Sequence, residues 1–121
     1  MADLRLKTEK YIINGREYTL VCNMNVLAEI QETNDGDFRE VLNRSKSIRN
    51  ALMIGAAMAN ECAEENGWPE RFTAKTLGRL IPPKETGKFS AMITSLLYSA
   101  LIDDEPREKE DDDIAGENEK N

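Results

Sequence analysis

Glu61, Glu64 and Glu65 stand close together near the end of a long helical pattern. At helical spacing Glu61 shares a face with Glu64 and Glu65. Two carboxylates on one face are what general acid–base catalysis needs, one protonated and one ionised. Nothing nearby suggests a pocket, so their plainer role is a solvated helix end. The chain contains no histidine. That removes Ser–His and Cys–His nucleophile pairs and every histidine-bearing zinc site. Cys22 and Cys62 lack a Cys-x-x-Cys partner and read as small buried thiols of a reducing compartment. Asn34-Asp35-Gly36-Asp37 hints at a calcium loop, but placing Gly36 at the loop glycine puts Gln31 at the first ligand and Leu42 at the last, so the match fails. Gly78 and Gly87 are isolated and form no phosphate cradle. No catalytic, metal-ligating or cofactor-binding residue is expected, and the chain reads as a non-enzyme.

The charge is segregated. Residues 1–102 carry 13 acidic and 13 basic side chains, whereas residues 103–121 carry ten acidic and three basic, so the net charge of −7 lies wholly in the C-terminal stretch. That stretch holds Ile114 and Ala115 as its aliphatic residues, with Pro106 and Gly116 between charges. Repulsion and a shortage of apolar surface predict a disordered acidic tail over 103–121. It either solvates the protein or meets a basic partner. With no basic patch to neutralise phosphates, direct nucleic-acid binding is disfavoured. The chain opens on charged residues instead of an apolar signal core, and the longest apolar run, Ala51 to Ala59, is far shorter than the roughly 20 residues a membrane span needs.

The elements that must position these residues are legible. The expected fold is mainly α (α+β): an N-terminal β-hairpin over residues 4–22 packed on a bundle of about five helices over 24–102. Residues 1–102 would form a single domain, followed by the acidic tail. Asn14-Gly15 separates two strand-like runs and favours a type I′ turn. Pairing outward from it sets Tyr11 opposite Tyr18 and Glu9 opposite Leu20. Tyr11, Ile13, Tyr18, Leu20 and Cys22 then share the core face. Such a hairpin is marginal alone in water and must pack on the helices or on another chain.

Asn23 and Asn25 are both candidate caps for a short first helix bearing Val26, Leu27 and Ile30. Asp37 and Glu40 form a capping-box pattern for a second, with Phe38, Val41 and Leu42 as its apolar side. The third is central. Ser45 or Ser47 caps it, Asn66-Gly67 stops it, and Ile48, Leu52, Gly55, Ala59 and Cys62 set an apolar stripe. Ala51, Gly55, Ala59 and Ala63 add a ridge of small residues that lets another helix approach. Thr73 caps a fourth helix of about two turns with Leu77, Leu80 and Ile81 inward, and Pro82-Pro83 ends it. The fifth runs to Ile102 with Phe89, Ile93, Leu96 and Ala100 as its stripe. Trp68 either seals one end of the bundle or is an exposed anchor for a partner. Tyr98 lies nearer the edge of its helix.

Three segments, Gly15-Arg16-Glu17-Tyr18-Thr19-Leu20, Asn25-Val26-Leu27-Ala28-Glu29-Ile30 and Thr73 to Ile81, carry a resemblance. In their order, from hairpin to long alanine-rich helix to final apolar helix, residues 10 to 102 resemble the tail assembly chaperones of long-tailed bacteriophages and gene transfer agents. The resemblance implies a non-enzymatic protein of the bacterial host's cytoplasm. It would bind the tape measure protein, keep its apolar helices soluble and help recruit tail tube subunits, without a cofactor. No contact residues carry over from the family. The candidate partner-binding residues are Phe89 and Tyr98, from the apolar supply of the last two helices, together with Trp68. Two other roles fit the same residues: a small tail-completion or connector protein retained in the virion, and an acidic regulatory adaptor unrelated to phage.

Overall fold

The computed structural model describes residues 6–33 and 47–101. Strands β1 (Thr8–Ile13) and β2 (Arg16–Val21) form an antiparallel hairpin with Tyr11 opposite Tyr18 and Glu9 opposite Leu20, the register expected from the turn. Asn14 (φ 53°) and Gly15 (φ 83°) both take the left-handed conformation of a type I′ turn. Ile13, Tyr18, Leu20 and Cys22 are buried and Tyr11 is half-buried, whereas Ile12 and Thr19 on the other face are exposed. The two-residue period therefore places the core face as expected.

Helix α1 (Met24–Thr33) begins at Asn23, whose side-chain oxygen accepts from the Val26 amide at 3.0 Å; Asn25 is not the cap. Val26 and Ile30 are buried and Leu27 half-buried. Helix α2 (Ile48–Asn66) is the axis of the molecule and packs on β2, α1 and both later helices. Ser47 caps it by accepting from the Asn50 amide. Its far end closes in a Schellman motif: Gly67 (φ 73°) donates to Glu64 at 3.2 Å and Trp68 donates back to Ala63 at 2.8 Å.

The small ridge Ala51, Gly55, Ala59 and Ala63 is buried along its length. A Cβ at Gly55 would lie 2.6 Å from the Phe89 ring carbon Cζ, so only glycine lets the last helix come this close. Ile48 departs from the expected inward stripe. It is 58 % exposed, because it is the first helical residue and extends past the cover supplied by the last helix.

Helix α3 (Ala74–Gly78) opens with a reciprocal capping box between Thr73 and Thr76. It is one turn long, not two. Gly78 weakens helix continuation and Pro82 disfavours helical geometry at Ile81, so the chain passes into turns. Leu77 is buried, Ile81 half-buried, and Leu80, expected inward, is 38 % exposed. A 3₁₀ turn (Pro83–Glu85) leads into α4 (Thr86–Leu101), which buries Phe89, Ile93, Leu96 and Leu97. Among the described residues, the buried apolar side chains of the hairpin and of the four α-helices form one core. The helix expected after Asp37, the Asn34–Asp37 loop and the acidic tail lie outside the described residues. Among the described residues no helix is long and apolar enough to cross a membrane.

Candidate functional site

The carboxylates on α2 are tied into the fold. Glu61 Oε2 accepts from the side-chain amides of Asn23 at 2.8 Å and Asn25 at 3.0 Å, fastening the start of α1 to α2. Glu64 and Glu65 point to solvent. The polar hollow beside them is lined by Asn25, Glu29, Asn60, Glu61, Glu64 and Arg71, and most of its groups are already engaged. The Asn60 amide donates to the Phe72 carbonyl at 2.9 Å and accepts from the Phe72 amide at 2.7 Å. Arg71 donates to the carbonyls of Trp68 and Glu70 at 2.6 and 2.7 Å. These bonds hold the strap Gly67–Phe72 against α2. Cys22 is 3 % exposed, and burial pushes its thiol up from 9.0 to about 11, so it stays protonated and unreactive at neutral pH. Among the described residues no group of three His, Cys, Asp or Glu side chains could hold a metal ion.

The three candidate partner-binding residues do not converge. Trp68 is half-buried and meets Tyr18 edge-on at 5.3 Å. The Arg16 guanidinium lies 4.2 Å above its ring and pairs with Glu70 at 3.0 Å. Trp68 thus seals the end of the bundle beneath the hairpin turn. Phe89 is a core residue, 3 % exposed, packed under Gly55 and 5.4 Å from Tyr11. Tyr98 is 43 % exposed on the outer side of α4, beside Ala91, Thr94 and Ser95.

What the sequence did not reveal is a groove. Ala51 and Leu52 of α2, Ile81-Pro82-Pro83 and Phe89 enclose an apolar hollow of about 200 Å³, with Ile48 at its mouth. It exists because the Pro82-Pro83 corner turns the chain across the N-terminal half of α2 before α4 begins, while Gly78 leaves its wall without a side chain. The paired prolines were the one local signal. Two further hollows adjoin it. One shares Ile48, Leu52 and Gly78 and is rimmed by Arg49, Lys75 and Arg79. The other shares Ile81 and Pro82 and runs to Ile12 and Met92, with Glu9, Lys10, Glu85 and Lys88 at its edges. Tyr11 donates to Glu85 at 3.2 Å, and burial, then the Glu85 hydrogen bond and charge, raise its pKa. Burial, with the Glu70 charge next, raises that of Tyr18.

The groove is apolar apart from the Thr86 and Ser90 hydroxyls at its lining, and the two hollows that adjoin it are larger, about 560 and 540 Å³. No family profile matches the chain, and no curated protein or solved structure matches it either.

Proposed function

We propose that this chain is a tail assembly chaperone, a non-enzymatic protein that holds apolar helices of a tape measure protein and helps recruit tail tube subunits in the bacterial cytoplasm. The reading rests on the resemblance of segment order and is supported by the fold, in which a hairpin precedes and packs on a helical body. The observation that carries the binding role is the open apolar groove between α2 and the Pro82-Pro83 corner. Helix-in-groove recognition seats apolar anchors spaced i, i+3 or i+4 into such a surface. Exposed Ile48 and Leu80 extend its apolar area outward, and the Gly78 wall lets a partner backbone come close.

Co-expression with a tape measure protein from the same genome tests it. The tape measure is expected to stay soluble and to co-purify with the chain. Ile48→Glu should weaken that capture at least tenfold and leave the melting temperature unchanged, since Ile48 is a solvent-facing first-turn residue where an acidic side chain also suits the helix dipole. A tape measure that stays insoluble beside well-expressed chain would overturn the chaperone reading. Capture undiminished by Ile48→Glu would move the contact away from this groove.

A further inference from the structure

The basic side chains of the described residues are distributed unevenly with respect to the acids. Arg16 is paired with Glu70, and Arg71 bonds backbone carbonyls beside Glu61 and Glu64. Lys10 and Lys88 share their hollow with Glu9 and Glu85. Arg49, Lys75 and Arg79 are different. They rim one hollow with no acid in its lining, and all three are exposed. The floor between them is apolar, formed by Ile48 and Leu52. Cations around an apolar floor fit an acidic segment that also carries an aliphatic residue.

The chain supplies such a segment. Glu108-Lys109-Glu110-Asp111-Asp112-Asp113 is followed directly by Ile114, in a stretch that carries the whole net charge of −7. We propose that this segment of the same molecule docks in the hollow rimmed by Arg49, Lys75 and Arg79, with Ile114 against Ile48 and Leu52. Length permits it. The hollow lies toward the α4 N-terminus, and α4 from Gly87 to Leu101 is about 20 Å long at 1.5 Å per residue. The ten residues Ile102 to Asp111 reach about 33 Å when extended. Tethering makes the encounter intramolecular, at an effective concentration on the order of millimolar. The contact stands whether or not the apolar groove serves a tape measure protein.

The test is paramagnetic relaxation in the full chain. A nitroxide on Asn118→Cys is selective because Cys22 and Cys62 are both buried. At low ionic strength the amides of Arg49, Leu52, Lys75 and Arg79 should broaden. They should recover in 1 M salt, where the Debye length falls to about 3 Å, and in the Lys75→Glu, Arg79→Glu double variant. The salt comparison needs no surface substitution, so a poorly folded variant would not blur the result. Broadening confined to other faces, or absent everywhere, overturns the proposal. Broadening seen only between spin-labelled and isotope-labelled copies in a mixture overturns the intramolecular contact and assigns the hollow to a second copy.

Discussion

At the residue scale, Gly55 matters most. Its missing side chain is the space that the Phe89 ring occupies, and that ring is held in turn by Tyr11 from the hairpin. A methyl group there must displace a buried aromatic ring, because neither α2 nor α4 can retreat without opening the core. Gly55→Ala is expected to lower stability by about 1–3 kcal/mol, the usual cost of overpacking, despite alanine's better helix propensity. Urea unfolding midpoints would measure it. Gly55→Ala combined with Phe89→Leu should cost less than the two single changes summed, since the smaller side chain makes room for the methyl group. The small-residue ridge was legible in the sequence through its four-residue period. That Phe89 is the residue filling it was not, since α4 offered Phe89, Met92 and Ile93 on neighbouring positions.

At the element scale, the strap from Gly67 to Phe72 joins α2 to α3 and underpins the hairpin. The Schellman turn aims Trp68 back toward Tyr18, Glu70 reaches Arg16, and Asn60 clamps both backbone groups of Phe72. Asn60→Ala leaves the amide and carbonyl of Phe72 without their partner, at a cost of about 1–3 kcal/mol. Hydrogen exchange at the Phe72 amide should quicken by more than exchange at the centre of α2, because the strap opens locally before the core does. Equal acceleration at both places would mean that Asn60 supports the whole fold and not the strap. The helix stop at Asn66-Gly67 and the Thr73 cap were readable from local residue types. The Asn60 clamp was not, because it joins residues 12 apart in sequence through a loop with no repeating pattern.

At the scale of the whole molecule, the core holds groups that resist losing protons. Burial raises Cys22 to about 11 from 9.0, and Tyr11 and Tyr18 are raised above 10.0, also by burial first. A group whose folded pKa lies above its unfolded value contributes its full stability below the unfolded pKa and loses it as pH rises through the folded one. Stability should therefore hold level up to about pH 9 and fall between 9 and 11, Cys22 contributing a slope of at most about 1.4 kcal/mol per pH unit, with the tyrosines extending the fall. Urea midpoints across this range would show it. Cys22→Ala should flatten the first part of the fall; a curve unchanged by that substitution would assign the loss to the tyrosines alone.

What this chain's residues settled by themselves is whatever depends on neighbours in sequence: the hairpin register from Asn14-Gly15, the face shared by Ile13, Tyr18, Leu20 and Cys22, and the close of α2 at Gly67. The segregation of charge was equally plain, being a matter of counting. Only the tertiary structure decided that Phe89 is sealed inside while Ile48 is left outside, that Glu61 is a tether for α1, and that the Pro82-Pro83 corner and α2 leave a groove between them. The physical reason is that periodicity tells which side of an element is apolar but not how far its neighbour extends along it. A groove is the place where that cover ends, so it is set by the relative lengths and crossing of packed elements.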